Sequence, residues 1–595
     1  MTFEHSARRP DEAALRTSSV RAKVAFYIIV AFAAYIACRF FIVQVRQGPA
    51  LAERAYEQHL TTVELAAHRG TIYDRDGNAL VRSLPSQSIY VAPSDVSDPA
   101  ATARALAPVL GRSPATLEAL LQSKTAYAQL DHKVARDRAD AVAKLALPGI
   151  SIVPEPTGIR FIPSGRLAST VLGFTGFDEN GLDGVEYGFD AILRGTPGRM
   201  DLEADQFGRV LPFARPHVDV AAKAGHSVVL TLDSYLQYNA EQILTKTVAQ
   251  WHARSGSAIV MDPQTGEILA LANVPDFDVP QYARYPAEDR RDRAVTDAYE
   301  PGSTFKLITA AAALDSGKVT PGDLFPARDT LRVGGSTIHN AEDGFLASAS
   351  ASENLGEIIA KSHNVGAAEV ALRIGARTLY DALLRFGFGT PTEVGLPGES
   401  AGIVAPLAQW SGTSLPTIAF GQGIATTPLA MARAYCAIAN GGLLLRPRIL
   451  SAIIAPDGAT VYRYGREIER RVMSARTAAI LRGYLRAVVL RGTGNPTAQV
   501  AGYTTAGKTG TAQIAENGVY LSGAYVASFI GYVPAVAPRY VILVKVTQPE
   551  GSIYGGVVAA PAFAQLARLA MMHAGVPAAE PPRLVRAGTA SKRRT

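Results

Sequence analysis

A serine three places before a lysine constrains this sequence more than any other pattern. Ser303 and Lys306 lie in the stretch EPGSTFKL at residues 300–307, just ahead of an apolar run. The Pro-Gly pair and the apolar residues predict the first turn of a buried helix. Residues three apart share a helix face, so a buried, neutral lysine can take the hydroxyl proton and make Ser303 a nucleophile. Alone, this spacing is weak evidence, because it also occurs at ordinary helix starts.

Two further motifs follow in the same chain. SHN at residues 362–364 comes at the end of a predicted helix over Leu355–Lys361, and KTGT at residues 508–511 comes just before predicted strands. The order S-x-x-K, S-x-N, K-T-G is the motif set of penicillin-binding proteins and serine β-lactamases. The sequence therefore resembles a serine D,D-transpeptidase.

The resemblance implies a role for each motif side chain near the reacting carbonyl. Ser303 would attack the D-Ala-D-Ala carbonyl of a peptidoglycan stem peptide, with Lys306 as its general base. Lys508 would favour the neutral form of Lys306, because two neighbouring ammonium groups disfavour each other's charge. Ser362 would relay the proton to the departing D-alanine, and Asn364 would bind the substrate amide.

The K-T-G strand is implied to hold the substrate chain. An edge strand can pair with an extended peptide, and Gly510 would leave space for the peptide backbone. The resemblance assigns Thr509 and Thr511 to the terminal carboxylate, and the backbone N–H groups of Ser303 and Thr511 to the oxyanion. His363 replaces the serine or aspartate expected in the middle of S-x-N, and a passive role is expected for it.

Length and composition limit the class of protein. A chain of 595 residues predicts two or three domains. Charged residues make up 19% and hydrophobic residues 48%, which predicts a folded protein with a membrane segment. The net charge of +7 is modest, and basic residues concentrate at the two ends, so contact with a membrane surface is favoured over nucleic-acid binding. Cys38 and Cys436 are not expected to form a disulfide, and no metal or other cofactor is predicted.

An apolar run near the N-terminus predicts a membrane anchor. Residues 1–23 are polar and are predicted to be a disordered cytoplasmic tail, whereas Val24–Val45 is long enough to cross a bilayer if Arg39 reaches the far interface. The Lys and Arg residues before the run place the N-terminus in the cytoplasm and the rest outside. A cleaved signal peptide is the alternative, since ALA at residues 50–52 resembles a cleavage site, but Arg39 and Arg46 precede that site and favour an uncleaved anchor.

Residues 46–222 are predicted to form a second region, in which glycine-rich turns join short strands. No pairing of nucleophile and base is apparent in it, so a scaffold is expected. Its segments resemble the non-catalytic, dimerisation-type pedestal of class B penicillin-binding proteins, and no region remains for the glycosyltransferase of class A. Four charged residues are candidates for structural ion pairs: Arg69, Asp74, Arg75 and Glu186.

Residues 223–575 are predicted to be the transpeptidase domain, and residues 576–595 a disordered tail. A helical lobe packed on an antiparallel sheet, with helices on both faces, would give the α/β fold of penicillin-binding proteins and serine β-lactamases. Periodicity indicates the following principal elements: strands His226–Leu232, Ser257–Asp262, Glu267–Ala272, Val500–Ala512, Ala524–Val533 and Tyr540–Thr547, and helices Tyr235–Ala253 and Pro561–Met572.

Three segments resemble the division branch of class B, the FtsI or penicillin-binding protein 3 type. They are RDRAVTD at 291–297, AGKTGTAQ at 506–513 and YGGVVAAPAF at 554–563. This branch implies an inner-membrane protein at the division septum that cross-links stem peptides of lipid II-derived glycan strands and binds β-lactams. It also implies a SEDS glycosyltransferase of the FtsW type as membrane partner. The elongation branch, of the penicillin-binding protein 2 type, stays open.

Two other classes of function are weighed against an enzyme of the cell wall. A non-catalytic division scaffold is disfavoured, because a site that had lost its catalytic activity would have no need to keep all three motifs. A β-lactamase or antibiotic sensor would need fast deacylation or a cytoplasmic effector, and the 23 residues before the predicted anchor are few for an effector.

Overall fold

The computed structural model describes residues 12–155, 158–203, 217–341, 351–516 and 518–578. These residues form two compact units, which are drawn from Met1–Ala66 with Pro197–Lys223 and from Ala67–Thr196 with Ala224–Thr595. Residues 579–595 of the predicted C-terminal tail, and residues 1–11, lie outside the described part of the chain.

The first unit begins with a long helix, Glu12–Phe41, which continues as a π-helical turn over Ile42–Arg46. The predicted disordered tail is therefore wrong for residues 12–23: no glycine or proline interrupts this segment, so the helix of the apolar run extends through it. Within the described residues, Ser19–Arg46 is the one stretch long and apolar enough to span a membrane, and an 18-residue window in it has a mean hydropathy of 2.2.

The rest of the first unit is a helix and a small sheet. The helix covers Gly48–His59. The antiparallel sheet has Gly198–Glu203 in the centre, between Leu60–Leu65 and His217–Val220.

A six-stranded sheet in the second unit joins distant parts of the chain. Ser227–Leu230 pairs in parallel with Ile72–Tyr73 and antiparallel with Leu450–Ile454. Backbone hydrogen bonds thus cross the predicted boundary after residue 222, and the domain limits stay a prediction. The strand order is Thr460–Arg463, Leu450–Ile454, Ser227–Leu230, Ile72–Tyr73, Ala79–Leu84, Ile159–Phe161.

Between residues 85 and 155 the chain forms a three-stranded sheet packed with helices, which the sequence analysis did not foresee. Asp98 and Ser113 accept hydrogen bonds from the first turn of two of these helices, and a proline follows each cap, as at well-formed helix starts. The strands, in sheet order, are Ala128–Ala135, Ser86–Val91 and Ile150–Pro154, and the helices are Pro99–Leu110, Pro114–Leu121 and Arg136–Lys144.

The predicted ion pairs are confirmed in part. Arg69 Nε lies 2.7 Å from a buried Glu186 oxygen, and Arg160, which the sequence analysis missed, lies 2.7 Å from the other. Arg75 pairs with Glu267, at 3.8 Å. The prediction is wrong for Asp74, whose carboxylate instead accepts hydrogen bonds from its own turn and from a serine hydroxyl.

The central sheet of the second unit has five antiparallel strands. Helices Ser234–Gln250 and Ala560–His573 pack on one face, and helix Pro428–Ala439 contacts the strands on the other. Because both faces are covered, every residue of Ser255–Met261 is buried. The strand order is Ile268–Val274, Ser255–Met261, Tyr540–Thr547, Val519–Val533, Ala506–Glu516.

A helical lobe completes the second unit and confirms the predicted α/β fold. Residues 275–299 contain short helical segments. The lobe helices are Lys306–Asp315, Leu355–Lys361, Asn364–Ile374, Ala376–Arg385, Ser414–Ile418, Pro428–Ala439 and Ala475–Arg491. The short helices are Ser169–Leu172, Gly184–Gly188, Asp190–Leu193, Val279–Arg284, Ala287–Arg290, Arg293–Thr296 and Gly555–Val558. The two-stranded pairs are Leu324–Pro326 with Ser352–Asn354, Thr330–Val333 with Ser336–His339, and Leu443–Leu445 with Ile468–Arg471.

Candidate active site

Ser303 stands on a 3₁₀ turn, Gly302–Phe305, that leads directly into the helix Lys306–Asp315, here called the nucleophile helix. Eight of the ten residues of this helix are buried, which holds the turn in place. Lys306 Nζ lies 3.0 Å from Ser303 Oγ, so the predicted contact across one helical turn is confirmed. Ser303 itself is only partly buried and faces a cavity.

Ser362 ends the second motif's helix in an unusual backbone conformation. The helix Leu355–Lys361 starts with a capping box made by Asn354 and Glu357. At its other end Ser362 takes the left-handed conformation, with φ 64°, which costs free energy for any residue but glycine. This conformation turns the hydroxyl toward two amines: Ser362 Oγ lies 2.7 Å from Lys508 Nζ and 3.3 Å from Lys306 Nζ.

Asn364 contacts Lys306, the candidate general base. Its Oδ1 accepts a hydrogen bond from Lys306 Nζ at 2.8 Å, and its Nδ2 donates to the His339 carbonyl at 3.0 Å. An amide nitrogen carries two hydrogens, so one N–H is left for a substrate carbonyl. Asn340, which the sequence analysis missed, fixes this position by accepting the Asn364 backbone N–H at 2.8 Å.

His363 is buried and contacts a buried carboxylate. Its Nδ1 lies 2.6 Å from Glu353 Oε2, and both side chains are less than a tenth exposed. The contact ties the start of helix Asn364–Ile374 to the strand Ser352–Asn354. The passive role expected for His363 in the chemistry stays a prediction.

Burial shifts the titration of both lysines. Removal from water, and next the nearby Lys508 ammonium, hold the pKa of Lys306 well below its usual value, while Glu353 opposes this effect. Burial also lowers the pKa of Lys508 to about 7. The lowered pKa of Lys306 favours its neutral amine, the form that a general base for a serine hydroxyl requires.

The strand Ala506–Glu516, here called the motif strand, is the edge strand of the central sheet. Thr509 Oγ1 lies 2.7 Å from Thr493 Oγ1, and Thr511 Oγ1 accepts a hydrogen bond from the Gly555 N–H at 3.3 Å. Both threonine hydroxyls are thus oriented, and the outer edge of the strand is available to an extended peptide.

Gly510 also has a packing role, which the sequence did not suggest. A Cβ at this position would lie 2.3 Å from Ser528 Oγ and 3.1 Å from the Pro301 carbonyl oxygen. A Cβ at Gly302 would likewise lie 2.8 Å from the Thr511 carbonyl oxygen. The missing side chains let the motif strand and the nucleophile turn approach each other. The space that Gly510 would leave for a peptide backbone stays a prediction.

The three motifs meet at one cavity of about 780 Å³. Ser303, Ser362, Asn364, Thr509 and Thr511 line its wall. Lys306 and Lys508 are almost completely buried next to these residues. The arrangement provides a nucleophile, a buried base, a hydroxyl between two amines, and a strand edge for a peptide.

Other supports of the site were missed from the sequence. Tyr435 donates a hydrogen bond to the Thr304 carbonyl at 2.8 Å, and Gly302 N–H donates to the Gly421 carbonyl at 3.1 Å. The glycine-rich segment FGQG at residues 420–423 is a sequence pattern that could have indicated the contact of Gly421 with Gly302. Tyr435, in contrast, lies in an ordinary apolar helix pattern. Across the described residues, no group of three or more His, Cys, Asp or Glu side chains is placed to hold a metal ion.

Two family models match the chain. The penicillin binding protein transpeptidase domain matches residues 256–568, and the penicillin-binding protein dimerisation domain matches residues 64–230.

Similar proteins extend over nearly the whole chain. The peptidoglycan D,D-transpeptidase FtsI of Escherichia coli K12 is 33% identical over 89% of this chain and 88% of its own length. The stage V sporulation protein D of Bacillus subtilis is 33% identical over 94% of this chain and 86% of its own length. The crystal structure of penicillin binding protein 3 of Mycobacterium tuberculosis in complex with aztreonam is 32% identical, has a TM-score of 0.68, and covers 87% of this chain and 99% of that one.

Proposed function

The chain belongs to the class B penicillin-binding proteins and is a peptidoglycan D,D-transpeptidase; from this premise we propose that it cross-links stem peptides during septum synthesis, through an acyl-enzyme on Ser303. The observation that carries the proposal is the Ser362 hydroxyl held between the amines of Lys306 and Lys508, next to the Ser303 hydroxyl.

The first half of the reaction forms the acyl-enzyme. Ser303 Oγ attacks the carbonyl between the two terminal D-alanines, and its proton passes to the neutral Lys306 amine. The C–N bond then breaks, and the departing D-alanine nitrogen receives a proton relayed by Ser362, with Lys508 stabilising the hydroxyl. In the second half, an amino group of another stem peptide attacks the ester and releases Ser303.

The motif strand binds the donor peptide in this proposal. Thr509 and Thr511 hold the terminal carboxylate, and the remaining N–H of Asn364 binds the peptide amide. The backbone N–H groups of Ser303 and Thr511 stabilise the oxyanion, a contribution that is typically about 3 to 4 kcal/mol for one such donor. Gly510 contributes by letting the strand lie against the nucleophile turn.

A β-lactam would acylate the same serine. Its strained amide takes the place of the D-Ala-D-Ala bond, and the ester it leaves on Ser303 hydrolyses slowly. A relative of this chain, penicillin binding protein 3 of M. tuberculosis, was crystallised with aztreonam, which supports this part of the proposal.

We place the protein in the inner membrane, with one membrane-spanning helix, the N-terminus in the cytoplasm and the transpeptidase domain in the periplasm. The apolar stretch Ser19–Arg46 and the basic residues before it support this topology. Similarity to FtsI, and the segments 291–297, 506–513 and 554–563, support a role at the division septum. A SEDS glycosyltransferase of the FtsW type would be its membrane partner.

Labelling with a fluorescent penicillin tests the chemistry. The full-length protein in detergent is expected to form a stable adduct, Ser303→Ala to form none while keeping its melting temperature, and the exposed-site control Ser94→Ala to label normally. Labelling of Ser303→Ala would show that the nucleophile is wrong. No adduct on the wild-type protein would favour a scaffold, and rapid loss of the adduct would favour a β-lactamase.

The cellular role needs a second measurement. A fluorescent fusion is expected at mid-cell during constriction, whereas uniform signal along the lateral wall would favour the elongation branch.

A further inference from the structure

A second cavity, of about 640 Å³, adjoins the active-site cavity. Gln513 of the motif strand lines both cavities, and Gln422 of the first is followed in the chain by Gly423 of the second. The roles of the three motifs make no use of this second cavity.

Lys545 is the buried cation of the second cavity. It is 3% exposed and lies on the strand Tyr540–Thr547, opposite Ser528, which is itself opposite Gly510. Residues directly opposite each other share a face of a sheet, so Lys545 is on the face that meets the nucleophile turn. Its Nζ lies 5.0 Å from the centre of the Tyr299 ring, and within the described part of the chain it has no hydrogen-bond acceptor and no carboxylate partner.

The acidic side chains that line the second cavity already form ion pairs or hydrogen bonds with residues other than Lys545. Asp297 lies 3.1 Å from both Arg291 and Arg293, and Glu288 pairs with the same two arginines. Glu300 accepts hydrogen bonds from the Gly423 N–H at 2.8 Å and from a tyrosine hydroxyl. The Lys545 amine is therefore left to an acidic group from outside the described residues.

An ammonium group that is mostly removed from water is stabilised by a charged partner. Burial, as the largest effect, lowers the pKa of Lys545 to about 8, with Arg291 and Arg293 adding to it and Asp297 opposing it. The amine thus remains mostly charged at neutral pH, and an incoming carboxylate would remove the cost of its burial.

The direction of the donor peptide follows from the proposed site. If the terminal carboxylate lies at Thr509 and the scissile carbonyl lies between Ser303 and Thr511, the preceding residues run along the strand edge toward Gln513. Each extended residue advances about 3.3 Å. The second or third residue before the scissile bond therefore reaches the mouth of the second cavity.

We propose that the second cavity is a subsite for an acidic residue of the donor stem peptide, whose carboxylate pairs with the Lys545 ammonium. The proposal rests on the proposed function and deepens it, because it names the charge that the enzyme selects upstream of the D-alanines. Arg254, at the rim of the cavity, would add to the attraction for an acidic peptide.

Two donor peptides test the subsite. They end in D-Ala-D-Ala and are identical except that one carries a carboxylate and the other a carboxamide two or three residues before the scissile bond. With the full-length enzyme, kcat/KM for D-alanine release is expected to be at least about tenfold higher for the carboxylate peptide, in line with the strength of a charge-assisted hydrogen bond. Equal values in the wild-type enzyme would overturn the subsite.

Variants of Lys545 test whether this side chain causes the preference for the carboxylate peptide. Lys545→Met is expected to reduce the carboxylate-to-carboxamide ratio to about one, and Lys545→Arg to retain part of it, through its charge. Lys246→Met, which removes an exposed lysine on helix Ser234–Gln250, is expected to keep the wild-type ratio. An unchanged ratio in Lys545→Met would overturn the assignment. If neither peptide reacts with wild-type enzyme and Ser303 takes no penicillin label, the proposed function fails instead.

A free anion, rather than a carboxylate of the stem peptide, is the other ligand that would pair with the Lys545 ammonium. If inorganic phosphate raises the melting temperature of the wild-type protein but not of Lys545→Met, and the two peptides react equally, the cavity binds a free anion and the stem-peptide proposal is wrong.

Discussion

At the residue scale, the site depends on two buried amines around one hydroxyl. Ser362 Oγ is within 3.3 Å of both lysine nitrogens, so a change of charge on either lysine acts on the other through a short path of low polarity. Because the two lysines interact, the apparent pKa values measured for them describe the pair rather than either lysine alone. The pH dependence of acylation is therefore a direct test of the arrangement.

Lys508→Met removes the second positive charge, which should raise the pKa of Lys306. In the proposed mechanism acylation needs the neutral Lys306 amine, and the neutral fraction falls about tenfold per pH unit below the pKa. The acid limb of the profile of acylation rate against pH is thus expected to move to higher pH. The measurement is the second-order rate of penicillin labelling between pH 5 and 9.

Lys508→Arg is the matched control, because it keeps the positive charge. Its acid limb should stay near that of the wild-type enzyme although its rate is lower. An acid limb of Lys508→Met that coincides with the wild-type limb would contradict the coupling.

His363→Leu tests the buried pair with Glu353. The substitution leaves the Glu353 carboxylate without the ring nitrogen now 2.6 Å away, which should destabilise the protein by roughly 1 to 3 kcal/mol. Glu353→Leu combined with His363→Leu should recover much of this loss, as seen by urea unfolding. Additive losses in the double variant would argue against a coupled pair.

At the element scale, the motif strand and the nucleophile turn form one unit because glycines allow close contact. A Cβ at Gly302 would lie 2.8 Å from the Thr511 carbonyl oxygen, and a Cβ at Gly510 would lie 3.0 Å from Thr304 Cγ2 and 3.1 Å from the Pro301 carbonyl oxygen. The contact joins two separate elements and so fixes Ser303 relative to Thr511.

Gly510→Ala should therefore harm the site more than the fold. The new methyl group would clash with Ser528 Oγ on the adjacent strand and crowd Thr304 and the Pro301 carbonyl at the turn, with an expected destabilisation of about 1 to 3 kcal/mol and at least tenfold slower acylation. Gly483→Ala is the control, since nothing lies within 4 Å of a Cβ there and alanine favours the helix. Normal acylation by Gly510→Ala would show that the close approach is unnecessary.

At the scale of the whole molecule, the six-stranded sheet carries strands from the predicted pedestal and from the transpeptidase region. Next to it, Glu186 accepts ion pairs from Arg69 and Arg160 on its two oxygens. These side chains are nearly fully buried, so their charges depend on each other rather than on water.

Glu186→Gln should lower the stability of the second unit without altering the acylation of Ser303. It leaves Arg160 without a carboxylate partner among the described residues and Arg69 with Asp190 alone, and breaking a buried ion pair typically costs about 3 to 5 kcal/mol. Thermal unfolding measures the loss, and penicillin labelling below the transition should be retained. Asp381→Asn, in an exposed pair with Arg377, should leave the melting temperature unchanged. Equal melting temperatures for Glu186→Gln and the wild-type protein would contradict the structural role.

The sequence predicted the fold class and most elements of the transpeptidase region to within a few residues. Helix Leu355–Lys361 was placed at its observed limits, because its cap and its apolar spacing are local signals. The helices between residues 99 and 144 were missed, since they are short and lie between strand-like segments. The extension of the first helix to Glu12 was missed because polar composition was taken as a sign of disorder.

The order of the three motifs, the apolar N-terminal run and the periodicity of strands and helices are properties of short stretches, so the sequence by itself determined the family resemblance and the candidate residues. The tertiary structure decided the rest: the left-handed turn at Ser362, the packing reason for Gly510, the sheet shared across residue 222, and the burial of Lys545 at the second cavity. Each of these depends on contacts between residues far apart in the chain, and such contacts are set by the packing of whole elements, which no local pattern encodes.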